Sequence, residues 1–197
     1  MGSAHRCGGG GGSPDWFYGT GTGWGIGSFS GGLGAAGKPY GDTAAYVKSG
    51  SEYMVPGVLT GDNTGKGSRV EKIRGARATA VGGRVCYSGA RSGTVCNNLI
   101  EEVNITACYG GGLPCYNDLA LSRQTTGVPA AGQGDSGGPV ISSATDEGRY
   151  AFGVISGIRD YSKSCTGDAD GRECSKYVLY APISEFFNAG WGLNYYK

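Results

Sequence analysis

The sequence contains a single histidine among its 197 residues. The usual Cys/His metal constellations need more than one, and no two of the seven cysteines have the CxxC spacing of a zinc site. Charge is scarce as well. Asp, Glu, Lys and Arg make up 17% of the chain and sum to +1, so nothing marks a nucleic-acid or polyanion partner. No apolar run is long enough to span a membrane. Residues 1–15 carry no apolar h-region, so no signal peptide is visible. Phosphate-binding loops are missing too. The stretch Gly19 to Gly27 fits no GxGxxG register, and Gly61-Asp62-Asn63-Thr64-Gly65-Lys66-Gly67 has the wrong spacing for a Walker A loop. Asp168-Ala169-Asp170-Gly171 carries the first ligands of a calcium loop but not the rest, and reads as a turn between Cys165 and Cys174. No cofactor and no metal are expected.

The excess is in glycine, with 41 residues. Thirteen Tyr, three Trp and alternating runs of Val and Ile favour pleated sheet. Together they describe an all-β protein with many tight turns, long enough for one large or two small domains. Short strands are expected at 16–18, 42–47, 55–59, 69–73, 76–81, 97–106, 140–142, 150–158 and 177–183, with a short helix around 184–188. Their regular spacing suggests a barrel or a sandwich. Gly8 to Gly12 reads as a loop. Seven cysteines in a chain this size suggest an oxidising compartment, and the odd count leaves one without a partner inside the chain.

The most informative stretch is Gly134-Asp135-Ser136-Gly137-Gly138-Pro139. A serine hydroxyl is a poor nucleophile until a base takes its proton. It also needs N–H donors aimed at the oxygen that becomes negative when a carbonyl is attacked. Glycines on both sides of Ser136 permit a tight turn in which the N–H groups of Gly134 and Ser136 share one oxyanion hole. Asp135 is expected to pair with a buried cationic group and fix the loop.

This hexapeptide is identical to the nucleophile signature of the chymotrypsin-like serine proteases, and its surroundings resemble the secreted actinobacterial branch (streptogrisin-like and alpha-lytic-like enzymes). A second island, Val85-Cys86-Tyr87-Ser88-Gly89 followed by Gly93-Thr94-Val95-Cys96, resembles a disulfide hairpin of that branch. Residues 153–157 are a third island. Ser3-Ala4-His5-Arg6-Cys7 and Asp42-Thr43-Ala44 resemble, less closely, the family's histidine turn and its Asp-x-Ala segment. Residues 107–133 and 159–174 have no counterpart.

The resemblance implies two antiparallel β-barrels. The first, residues 1–78, would carry the histidine and the aspartate and would be N-terminally incomplete; the second, 79–197, would carry the serine. It implies a secreted serine endopeptidase, a monomer, acting on peptide or protein substrates. Ser136 would attack, His5 would shuttle the proton and Asp42 would orient His5. The family has His directly before Cys, whereas Arg6 intervenes here. Aligning on Cys7 puts Arg6 in the histidine position. Aligning on His5 preserves the small residues before it, and is chosen because arginine cannot act as a base near neutral pH. The alternative is a catalytically dead binding protein of the same fold. Asp118, in Asn117-Asp118-Leu119-Ala120-Leu121, is a decoy that lies too close to Ser136 in sequence. Asp15 and Asp62 read as turn residues.

The resemblance also places the specificity pocket. Ala130 and Ala131 would form its floor, and Ser156, Gly157, Ile158 and Val178 its walls. With no carboxylate there, small or medium apolar side chains are expected. The hairpin resemblance pairs Cys86 with Cys96. Short loops favour Cys165–Cys174 and Cys108–Cys115, although sequence alone leaves connectivity open, and Cys115–Cys165 is the competing choice. Cys7 is then the odd cysteine. Because the family has strands before the histidine, the chain as written is expected to hold His5 loosely and to be weakly active or inactive.

Overall fold

The structure is a computed structural model that describes residues 2–3, 16–18, 24–32, 42, 44–47, 55–62, 67–109 and 115–197. His5, Arg6, Cys7 and Asp15 lie outside the described residues. Two sheets account for most strands. The first joins β1 (Gly2–Ser3), β2 (Trp16–Tyr18), β3 (Trp24–Gly32) and β4 (Ala44–Val47) in the order β1-β4-β3-β2, all antiparallel.

The second sheet contains β5 (Gly57–Thr60), β6 (Arg69–Ala76), β7 (Arg84–Gly89), β8 (Gly93–Cys108), β9 (Cys115–Gln124), β11 (Pro139–Ile141), β12 (Arg149–Arg159) and β14 (Tyr177–Pro182). Its order is β11-β7-β8-β9-β14-β12-β6-β5, and β11 also pairs with β12. That extra pairing closes β7, β8, β9, β14, β12 and β11 into a six-stranded antiparallel barrel. The hairpin β5–β6 attaches to the outside of this barrel through a parallel pairing of β6 with β12. A small ribbon, β10 (Ala131–Gly132) with β13 (Cys174–Ser175), flanks it, and helix α1 (Ile183–Asn188) follows β14.

Strand alternation explains the packing. Val178 and Tyr180 of β14 belong to the barrel's inner cluster with Val85, Tyr87, Val140 and Ile155. The intervening Leu179 and Ala181 face a second cluster with Leu119, Leu121 and Phe186 of α1. Side chains point to opposite faces at successive positions, so a strand buried on both faces reads as a continuous apolar run. The inner face also holds polar contacts. The Tyr87 hydroxyl meets Ser122 Oγ at 2.5 Å, and burial pushes the phenol's proton affinity well up, so Tyr87 stays neutral. A third cluster, Val58, Ile73, Cys86 and Ile141, seals the β5–β6 hairpin against the barrel.

Among the described residues three disulfides form: Cys86–Cys96 across β7 and β8, Cys108–Cys115 across β8 and β9, and Cys165–Cys174 closing a loop onto β13. One expected strand is absent. Residues 77–83 are a connector, because β6 ends at Ala76 and Gly82, at φ +86°, turns the chain into β7.

Candidate active site

Ser136 lies on the loop between β10 and β11, and that loop is fastened at both ends. The Gly137 N–H donates to Ile155 O at 2.8 Å, and the Ile155 N–H returns a bond to Gly138 O at 2.8 Å. Asp135 and Gly138 close the turn internally, through Asp135 N–H to Gly132 O at 3.1 Å and Gly138 N–H to Asp135 O at 2.9 Å. Gly134 has φ +92° and Gly137 has φ +81°, a region closed to most side chains. A Cβ on Gly134 would also lie 2.6 Å from Arg91 Cδ.

The Asp135 carboxylate is fully buried under the loop and accepts from every side. Oδ1 takes the Arg91 N–H at 2.8 Å and the Ser92 N–H at 3.0 Å. Oδ2 takes Ser92 Oγ at 2.6 Å, the Gly132 N–H at 2.8 Å and Arg172 Nη2 at 2.5 Å. Arg172 is the buried cation expected from the motif, and neither partner's side chain is exposed. A buried charge is tolerated only when paired and hydrogen-bonded in this way. The fit is tight: a Cβ on Gly89 would sit 2.3 Å from Asp135 Oδ1, and one on Gly132 would sit 2.7 Å from Arg172 Nη2. The glycine of the Ser88-Gly89 turn is therefore required by the carboxylate that it touches.

Arg172 itself is carried by the loop closed by Cys165–Cys174. Its Nη1 donates to Asp168 O at 3.1 Å, and Arg91 Nε donates to Asp168 Oδ2 at 2.8 Å. The Asp170 N–H and the Arg91 guanidinium hold the Asp168 carboxyl below its ordinary range. Among the described residues, no group of three His, Cys, Asp or Glu side chains converges to hold a metal ion.

β12 brings the remaining groups together. Its register slips between Ile155 and Gly157, a bulge that places Ser156 at the site. Ser156 is fully buried; its Oγ donates to Asp42 Oδ2 at 2.6 Å, and its carbonyl lies 3.5 Å from Ser136 Oγ. Asp42 is itself fully buried. Tyr109, the residue after β8, places its hydroxyl 2.7 Å from the same Ser156 Oγ. Asp118 is elsewhere: it sits in β9 at φ +58°, and its charge acts on Glu185 of α1.

A cavity of about 450 Å³ opens beside Ser136, lined by Tyr109, Ser156, Gly157 and Ile158 and by the charged Arg159, Asp160 and Glu173. Ala130, Ala131 and Val178 do not line it. All three are fully buried in the inner core cluster, and Ile158 packs against that cluster directly opposite Val178. The expected floor and one expected wall thus belong to the core rather than to the cavity lining.

No family model matches the chain. Solved structures do match over nearly its whole length. A glutamic acid-specific serine protease aligns at TM-score 0.66 and 21% identity, over 96% of this chain and 82% of its own. Cellulomonas bogoriensis chymotrypsin aligns at TM-score 0.61 and 24% identity, over 99% and 85% respectively. Thermobifida fusca protease A aligns at TM-score 0.57 and 23% identity, over 99% and 84%. The fold is that of the chymotrypsin-like serine proteases. Within this chymotrypsin-like fold, sequence reasoning missed Arg172, Ser92 and Tyr109. Arg172 and Tyr109 lie in the two segments for which no counterpart had been found. Only a search for an isolated cation to match Asp135 would have raised Arg172.

Proposed function

We propose that the chain is a secreted serine endopeptidase that cleaves peptide bonds through an acyl-enzyme. The observation carrying this reading is the convergence on Ser156: its Oγ bonds the buried Asp42, and its carbonyl lies 3.5 Å from Ser136 Oγ. Ser136 attacks the scissile carbonyl carbon while His5 takes the Ser136 proton. The Gly134 and Ser136 N–H groups stabilise the oxyanion, and Asp42 steadies the imidazolium. His5 then returns the proton to the departing amine, and water releases the acid by the same steps. An extended substrate pairs with Ser156, Gly157 and Ile158 as an added strand.

A cavity walled by Tyr109, Gly157 and Ile158 favours small or medium apolar residues at the cleaved bond. One methylene is worth only about 1–3 kcal/mol there, so the preference is modest. The sheet of β1 to β4, with Asp42 just before β4, and the barrel that carries Ser136 act as two units with the site between them, the enzyme works as a monomer, and the three disulfides among the described residues suit an oxidising exterior.

The test is labelling with a fluorophosphonate, followed by hydrolysis of peptide esters. Label on Ser136, lost in Ser136→Ala, with Ala, Val and Leu esters cleaved faster than Lys, Arg or Phe esters, is the expected result. A folded chain that takes no label is instead a binding protein of this fold.

A further inference from the structure

We propose that Tyr109 is a positioning residue that sets the direction in which Ser156 donates its proton to Asp42. This rests on the protease reading for its catalytic consequence but not for its hydrogen bonds. The argument is one of counting protons. Ser156 Oγ has one hydrogen and two close oxygen neighbours, Asp42 Oδ2 at 2.6 Å and the Tyr109 hydroxyl at 2.7 Å. An ionised carboxylate only accepts. The Ser156 hydrogen therefore goes to Asp42, and Tyr109 must be the donor to Ser156. The chain runs one way, Tyr109 O–H to Ser156 Oγ, then Ser156 O–H to the carboxylate. Hydroxyls in series polarise one another, and a buried carboxylate gains most from a donor that is itself held in place.

The ring is held as firmly as the hydroxyl. Tyr109 is 8% exposed and packs in the cluster with Tyr116, its ring centroid 6.0 Å away. A Cβ on Gly157 would lie 2.4 Å from the Tyr109 ring, so only glycine at 157 lets the ring lie against β12. Tyr109 is also joined to Cys108, whose disulfide with Cys115 ties the strand end on which it sits. The hydroxyl thus has little freedom to leave Ser156, and the same side chain forms part of the cavity wall beside Ser136.

The decisive variant is Tyr109→Phe, which keeps the ring and removes only the donor. Two independent measurements follow. By NMR, the slowly exchanging hydroxyl proton of Ser156 should move upfield in Tyr109→Phe. In ester hydrolysis, kcat should fall about 5- to 20-fold with KM changed less than twofold, the scale of one lost hydrogen bond to a charged system. In a Ser156→Ala background the same substitution should have no further effect on kcat, because Tyr109 acts only through Ser156. An unmoved Ser156 proton, or a Tyr109→Phe effect that persists undiminished in Ser156→Ala, overturns the proposal. A parent chain that neither labels nor hydrolyses overturns the protease reading instead, and the Ser156 proton still decides the Tyr109 chain.

Discussion

Among the described residues, two ion pairs, one fully and one largely buried, join distant parts of the chain, and they differ in how completely the carboxylate is satisfied. Asp135 has no exposed side-chain surface and receives five hydrogen bonds, from Arg91 N, Ser92 N, Ser92 Oγ, Gly132 N and Arg172 Nη2. Glu71, on β6, keeps 12% of its side chain exposed and pairs with Arg149 of β12 and with the outer Arg69, 67% exposed, at 2.7 Å. Arg149 adds a bond to Ser142 O at 2.8 Å. The first pair lies under the Ser136 loop. The second fastens the parallel seam by which the β5–β6 hairpin joins the barrel. Saturating the carboxylate's acceptors is what makes full burial of Asp135 tolerable, even though Arg172 Nε is left without a partner among the described residues, and this pair underlies the Ser136 loop.

The largest expected effect comes from breaking the Asp135–Arg172 pair. Arg172→Leu leaves Asp135 buried with an uncompensated charge and should cost about 3–5 kcal/mol in denaturant unfolding. Fluorophosphonate labelling of Ser136 should fall at least tenfold in the same variant, measured well below its unfolding midpoint. Full labelling in a destabilised but folded Arg172→Leu protein would separate loop geometry from the ion pair.

Next comes the loop that delivers Arg172. Replacing Cys165 and Cys174 by alanine removes a closure of nine residues and should cost about 2–3 kcal/mol on loop entropy. If Arg172 depends on that closure, the labelling rate falls too. A loss of stability with an unchanged rate would show that Asp135 alone holds its guanidinium.

The seam pair should affect stability alone. Burial raises the Glu71 carboxyl, but the hydrogen bonds and charges of Arg149 and Arg69 outweigh it and hold the group below its ordinary value. Glu71→Gln should cost about 1–3 kcal/mol at pH 7 and leave labelling within twofold of the parent. A carboxyl depressed on folding contributes above its unfolded value and loses that contribution as pH falls through its folded value. The difference between parent and Glu71→Gln should therefore be full near neutrality and shrink in acid, below the ordinary glutamate range. A difference that does not change with pH would place the effect in packing rather than charge.

The smallest effect belongs to Asp168, whose carboxyl is depressed by the Asp170 N–H and Arg91 but faces solvent. Asp168→Asn should move the thermal midpoint by no more than about a degree at pH 7, because exposed pairs contribute little. That difference too should vanish on acidification. A larger loss would mean that Asp168 orients Arg91, and through it the Asp135 cradle.

The Ser136 loop was legible in the sequence because its instructions are adjacent. The glycines at 134 and 137 supply the φ values that the turn needs, Asp135 announces a buried cation, and the Cys86–Cys96 hairpin pairs over ten residues. The segment 76–81 misled, since its apolar residues suggest a strand while the Gly82-Gly83 turn that redirects it lies just beyond. The pocket floor misled for a different reason. Ala130, Ala131 and Val178 have the right sizes, but barrel closure and the pairing of Ile158 with Val178 seal them in the core. Sequence alone thus determined the local turns, the alternation of the strands and the conformation of the Ser136 loop. The tertiary structure decided the partners: Arg172 for Asp135 across 37 positions, Asp42 for Ser156 across 114, and Tyr109 for Ser156 across 47. A backbone conformation depends on its own residue and the next few. A buried hydrogen bond between distant residues exists only after sheet register and barrel closure have put both groups within about 3 Å.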